Sequence, residues 1–342
     1  MHLETSPAST EMSVFDQRGR GVRGPIVFVA GCGRSGTSFL RTVLDAHPEI
    51  YIPSESLFLS DYLRYEASVP KRVLQFLFFR EPQLRCWYDG PRFQFNDAAE
   101  AIDRVHGHMA RRSGARIWGE KTPRFIRDWQ LFSRRLPDIK WVVVYRDPRA
   151  VVSSMLGSGQ HTSSIWHACE RWNRDNRALV ALKESDLAAT NVLIVCYEDL
   201  VREFDAHMSR IFDFLGARPI DRDVIEKNAK PVFFSRSRFR INTVRDGILP
   251  DEAKLADWKE KLSDQQVRRI EEHCWDMMLK LGYVPERAKG PATSKPRPLE
   301  RLKDIGVIGR YMWYWPEYPI HHLLRRAVFQ AFQSIGWRRR SA

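Results

Sequence analysis

Cysteine is scarce and unpatterned. Five residues, Cys32, Cys86, Cys169, Cys196 and Cys274, are scattered with no C-x-x-C spacing. They read as mostly buried thiols in a reducing compartment, not as a zinc site or a disulfide framework. No cluster of His, Cys or Asp stands at metal-ligand spacing, so no metal is expected. Long apolar runs are missing too. The longest patch, VLQFLFF (Val73 to Phe79), is far shorter than the ~20 residues that span a bilayer. The N-terminal stretch MHLETSPASTEMSVFDQRGRG has no basic start followed by an apolar run, so it does not read as a secretory signal. These absences make a soluble cytoplasmic protein the expectation.

Acidic residues are in deficit. Lys plus Arg number 55 against 42 for Asp plus Glu, a net charge of +13. The excess points to acidic ligands, a polyanion or a membrane surface, without choosing among them. The chain has 342 residues, of which 43% are hydrophobic. That suffices for one large α/β domain with additions, or for two modest domains.

Residues 1–24 are polar and glycine-punctuated, and read as a flexible lead. PIVFVA, KWVVVY and NVLIVC read as short, fully buried strands, with ARIWGEK a weaker one. Helical patterns separate them. SFLRTVLDAH places Phe39, Leu40, Val43 and Leu44 at helical spacing, and His47-Pro48 ends it. SDQQVRRIEEHCWDMMLKLG carries a capping box, Ser263 with Gln266, a Leu262–Val267 staple and a Gly282 stop. Alternating strands and helices imply a three-layer α/β domain, a central parallel sheet covered by helices on both faces. The main domain is expected over residues 25–285. The proline-rich, basic stretch from Glu286 to Leu302 reads as a linker to a basic, aromatic C-terminal extension.

VFVAGCGRSGTSFL (Val27 to Leu40) holds the first chemistry. Gly31 and Gly36 have the spacing of the phosphate loop G-x-x-x-x-G-K-[ST], between a strand and a helix. Thr37 stands where a nucleoside triphosphatase has its lysine, and Arg34 precedes the second glycine by two residues. The N–H groups around Gly33, Arg34, Ser35, Gly36, Thr37 and Ser38 can nest a phosphate at the helix N-terminus. Without the lysine, a Mg²⁺-bridged triphosphate is poorly served and a single 5′-phosphate well served. A second element, VVVYRDPRAVVSSML, runs from a buried strand into a helix that Asp147 can cap, with Pro148 suited to its first turn. Arg146 sits at the strand's carboxyl end, where open α/β sheets bind ligands. Ser154 lies eight residues on. The two together suit a second phosphate.

GCGRSGTSFLRTVLDAHPEI and YRDPRAVVSSML together resemble the sulfotransferases that use 3′-phosphoadenosine 5′-phosphosulfate (PAPS). The first is similar to their 5′-phosphosulfate loop and the second to their 3′-phosphate motif, R-x-x-x-x-x-x-x-S. The resemblance spans roughly Pro25 to Tyr283 and is strongest to the tyrosylprotein and heparan-type branch, through LDAHPE, GEKTP, CYEDL and a late W-K pair. It implies a P-loop-like fold, PAPS as co-substrate, no metal, and an acceptor hydroxyl on a carbohydrate, lipid or peptide. Nucleic acid is not expected as a partner.

The resemblance also assigns roles. In the tyrosylprotein branch the catalytic glutamate falls seven residues after the His-Pro proline, which here is Glu55. Lys121, in GEKTPRF, resembles the lysine that contacts the leaving group, a role Arg34 could share. Tyr197 resembles a tyrosine near the nucleotide, Arg245 a contact to the 3′-phosphate, and Trp258 with Lys259 a segment that closes over it. Other branches use a histidine base; His106, His108, His161 and His167 lie on predicted helices outside any matched motif. Two rival readings stay open: a P-loop kinase or other nucleotide-binding enzyme, and a polyanion-binding protein without catalysis. The tail offers a helix from about Ile320, with Leu323, Leu324, Ala327, Val328, Ala331 and Phe332 as its apolar face. That face could dock on the catalytic domain or lie on an anionic membrane.

Overall fold

The apolar runs become parallel strands. The computed structural model describes residues 25–158, 164–229, 251–292 and 317–335. Within them β1 (Ile26–Gly31), β2 (Ile50–Tyr51), β3 (Ile117–Lys121), β4 (Ile139–Tyr145) and β5 (Val192–Cys196) form one sheet in the order β2-β3-β1-β4-β5. Every pairing is parallel. β2 has two residues, too short for any periodicity to reveal.

The main helices are α1 (Thr37–Asp45), α2 (Leu59–Tyr65), α3 (Lys71–Phe78), α4 (Ala98–Arg112), α5 (Pro148–Ser158), α6 (Ile165–Lys183), α7 (Phe204–Leu215), α8 (Asp264–Lys280) and α9 (Glu317–Ser334). Strand pleating sends alternate residues to opposite faces. Phe28, Ala30, Trp118, Trp141 and Val143 share a core with Tyr62 of α2, Ile102 and Val105 of α4 and Leu179 of α6. Val27, Val29, Ile117, Val142 and Val144 share another with Leu40 and Val43 of α1 and Phe212 of α7. Each large apolar side chain removed from water here contributes about 1.5–3 kcal/mol. A third cluster joins Cys32, just past β1, to Val152 and Met155 of α5, Cys169 and Trp172 of α6, and Ile270 and Cys274 of α8. The fold is the expected three-layer α/β arrangement. From β1 the chain passes to β3 on one side and later to β4 on the other, so a crevice opens at the carboxyl ends of these strands.

The capping box on α8 forms as expected: Ser263 Oγ accepts the Gln266 N–H, and Gln266 Oε1 accepts the Ser263 N–H. The linker starts later than Glu286. The N–H groups of Glu286, Arg287 and Ala288 all donate to the buried Glu271 carboxylate on α8, which ties this stretch to the domain.

The tail helix needs two corrections. It begins at Glu317, before Ile320, because a proline within the first turn costs no intrahelical bond. Its inward face is also rotated from the expected one. Arg325 and Phe329 are buried, with Val328 and Phe332 beside them, whereas Leu323 and Leu324 are exposed. The cause is a pair of buried acids. Arg325 donates to both oxygens of Glu81 at 2.8 Å and to Asp61 Oδ2 at 2.8 Å, and Phe329 packs edge-on against Tyr62. Two carboxylates far away in the sequence outweigh the apolar stripe in choosing the face.

Candidate active site

Gly31 leaves β1 at φ 138°, and a Cβ there would lie 2.1 Å from the Val144 carbonyl oxygen. Only glycine lets the loop start this close to β4. Gly36 closes the loop at φ 94°; a Cβ would strike the Tyr197 ring at 2.2 Å. Arg34, at φ 73°, is the one non-glycine residue in the left-handed region among those described. Such strain at a phosphate-loop residue marks a functional position. Tyr197 thus sits against the glycine loop, and its ring also carries Arg146, 4.4 Å from the centroid.

Three arginines converge here. Arg34 Nε donates to Ser154 Oγ at 2.9 Å, and an Arg146 N–H reaches the Arg34 carbonyl at 3.5 Å. The guanidinium of Arg171, on α6, lies against Gly33. None of the three has a carboxylate in ion-pair range among the described residues. The buried Nε groups of Arg146 and Arg171 and the buried Ser35 hydroxyl have no hydrogen-bond partner among the described residues. Desolvation, then the charges of Arg146 and Arg171, pull the Arg34 pKa below the usual arginine value. Cations that repel one another and leave donors unused are arranged for an anion from outside. Ser154 joins the cluster through Arg34, which bridges the two phosphate motifs.

The helix after β4 is braced locally. Asp147 Oδ1 accepts the Arg149 N–H at 2.7 Å, an N-cap as expected. Glu198, in CYEDL, accepts the Asp147 N–H at 3.1 Å and the Tyr283 hydroxyl at 2.9 Å. Trp172 Nε1 donates to the Arg146 carbonyl at 2.9 Å. Arg149 lies over Trp258 and pairs with Glu271 at 3.0 Å, while Lys259 pairs with Glu286 at 3.3 Å. Trp258 and Lys259 therefore brace α5 and the segment behind it. Arg245 and His161 lie outside the described residues.

A second group faces α1. Lys121, at the end of β3, is fully buried; its Nζ donates to Ser38 Oγ at 3.2 Å and pairs with Glu55 Oε1 at 2.5 Å. Glu55 sits on the irregular stretch between β2 and α2, with its side chain 16% exposed. The structure thus unites Glu55, Lys121 and the phosphate loop. An ammonium, a largely buried carboxylate and an anion site in one crevice can take a proton while neutralising charge on a leaving oxygen. No group of three or more His, Cys, Asp or Glu able to hold a metal occurs among the described residues.

Residues 25–221 match the model of the sulfotransferase family. The chain belongs to that family. It is therefore an enzyme that moves a sulfuryl group to an acceptor. This sulfotransferase is 25% identical over 278 residues to a putative protein-tyrosine sulfotransferase of Caenorhabditis briggsae, covering 77% of this chain and 91% of that one. It is also 25% identical over 282 residues to protein-tyrosine sulfotransferase 2 of Gallus gallus, covering 80% and 73%. The sulfotransferase domain of the Synechococcus PCC 7002 olefin synthase superposes with a TM-score of 0.54 at 21% identity, over 79% of this chain and 98% of that domain. That likeness concerns the fold.

Two groups escaped the sequence reading. Arg171 lies mid-helix in no motif, and only the path of α6 over the glycine loop reveals it. Glu120, beside Lys121, is buried among polar partners and looks from sequence like any strand residue. Of the histidines, His106 is fully buried and 3.3 Å from Glu120, so it cannot meet an acceptor directly.

Proposed function

We propose that this sulfotransferase moves the sulfuryl group of PAPS to a hydroxyl, with Glu55 as general base, and that the acceptor is a tyrosyl residue of an acidic peptide. The observation that carries the cofactor reading is the arginine trio, Arg34, Arg146 and Arg171, which has no carboxylate in ion-pair range among the described residues and in which the buried Nε groups of Arg146 and Arg171 have no hydrogen-bond partner there. One phosphate belongs on the loop of residues 33–38, the other between Arg146, Arg34 and Ser154. Bound PAPS supplies the sulfuryl group and a phosphate leaving group, and sulfur keeps its oxidation state. Glu55 takes the proton of the attacking hydroxyl. Lys121, already touching both Glu55 and Ser38, holds positive charge where the bridging oxygen gains electrons. Relatives named for protein tyrosine, together with the excess of positive charge, support the acidic tyrosyl acceptor.

The test is ligand-specific. PAP should raise the melting temperature by several degrees and Mg-ATP should not. ³⁵S-labelled PAPS should then label a synthetic peptide carrying one tyrosine among glutamates. Stabilisation by Mg-ATP in place of PAP would overturn the cofactor. Labelling of a glycan or a lipid-linked sugar instead of the peptide would overturn the acceptor.

A further inference from the structure

Glu120 and Lys121 are neighbours on β3, so the pleat turns their side chains to opposite faces. Lys121 points to α1 and grips the Glu55 side chain. Glu120 points to α4 and is fully buried. Its Oε1 accepts the Ser56 N–H at 3.0 Å and the Thr122 hydroxyl at 2.6 Å. The same Ser56 N–H also lies 3.1 Å from Thr122 Oγ1. Its Oε2 lies 3.3 Å from His106 Nε2. His106 Nδ1 is 2.8 Å from the Ile102 carbonyl, which can only accept, so Nδ1 carries a proton. The imidazole lies between Trp118 at 4.5 Å and Trp87 at 4.8 Å. The buried Glu120 carboxyl thereby has polar partners at both oxygens.

We propose that Glu120, backed by His106, is the positioning residue for sulfuryl transfer: it clamps the peptide bond that follows Glu55, so that the base stays in register with Lys121 and the phosphate loop. The stretch that carries Glu55 has no helix or strand of its own. A side-chain ion pair alone would let Glu55 and Lys121 swing together. The Ser56 N–H bond fixes the backbone beneath them. This inference rests on Glu55 being the base.

Glu120→Met keeps the bulk and removes both acceptors, whereas Glu120→Gln keeps an oxygen for Ser56 and can donate to His106 Nε2. For the intact protein we expect Glu120→Met to cut turnover of the tyrosyl peptide by roughly 10–10²-fold. PAP affinity and the peptide KM should stay within about threefold. Amide exchange in peptides covering residues 53–58 should speed up at least tenfold, because a buried hydrogen bond is lost. Glu120→Gln should restore both. Unchanged exchange in Glu120→Met would overturn the clamp whatever the acceptor proves to be. So would faster exchange with normal turnover, or a loss shared equally by PAP binding and unrescued by Gln. If Glu120→Met does not fold, Thr122→Val and His106→Gln, read by the same exchange and turnover, decide in its place. Glu55→Gln run in parallel separates the two ideas. Normal turnover there removes the base, while the exchange data still judge the clamp.

Discussion

The phosphate-loop crevice and the docking site of α9 hold their charges differently. In the crevice, Arg34, Arg146 and Arg171 crowd together without a carboxylate among the described residues, and two of their Nε groups are buried with no partner there. On α9, Arg325 is far more deeply buried, yet it has two carboxylates, Glu81 and Asp61. Lys121 likewise has Glu55. A satisfied buried ion pair says little about function and much about which element docks where. An unsatisfied guanidinium says the missing charge belongs to a ligand. The presence of arginine alone would not tell the two sites apart; their partners do.

The largest effect expected lies at Glu55, whose carboxylate is paired with Lys121 beside the phosphate loop. Glu55→Gln should lower turnover by roughly 10²–10⁴-fold while PAP affinity stays within about threefold. Steady-state kinetics and calorimetric PAP titration would show it, and near-normal turnover would move the base elsewhere. Next comes Arg325→Ala. It strands the buried Asp61 and Glu81 and should cost about 3–5 kcal/mol of stability, seen in urea unfolding. PAP affinity of the folded fraction should not change. The opposite sign is expected at the phosphate-loop crevice. Arg171→Ala should weaken PAP by about 1.5–3 kcal/mol, yet leave the ligand-free protein as stable as before or slightly more so, since it relieves like-charge repulsion. Loss of ligand-free stability there would mean that Arg171 is architecture after all.

The smallest effect is a pH dependence of α9. Burial, then the Arg325 charge, lower the His322 pKa to about 4, and Arg325 Nη2 donates to its bare Nδ1 at 2.8 Å. The unfolded imidazole titrates near 6.5. Below about 6.5 the undocked helix therefore binds the extra proton and the docked one does not. Docking should weaken progressively from about pH 6.5 down to about 4. Asp61 adds to this at the acid end. Although burial opposes it, the Arg325 and Arg326 contacts hold its pKa below the usual carboxylate value, so its contribution is lost as pH falls through that lowered pKa. Limited proteolysis of the C-terminal segment against pH should follow this course, and His322→Gln should flatten its upper part.

How much of this was legible in the sequence depended on range. The phosphate loop, the Arg146 strand end, the Asp147 and Ser263 caps and the strands themselves are set by neighbours a few residues apart. The backbone chemistry of a tight turn or a helix start permits few residue types. Glu55 and Lys121 were found by family spacing and then brought within 2.5 Å of each other by β2, β3 and the stretch between them. Arg171 and the inward face of α9 had no local signal, and Glu120 lay in GEKTP with no role that its sequence neighbours assign. A mid-helix arginine looks solvent-exposed, a strand glutamate looks like a surface residue, and a helix with Leu323 and Leu324 looks certain to bury them. The sequence by itself determined the parallel α/β core and the two anion motifs, because period and turn chemistry act locally. Tertiary structure decided which charges are paired. The desolvation cost of an arginine or a carboxylate depends on whether an opposite charge arrives from tens or hundreds of residues away, as Asp61 and Glu81 do for Arg325 and as nothing within the described chain does for Arg171.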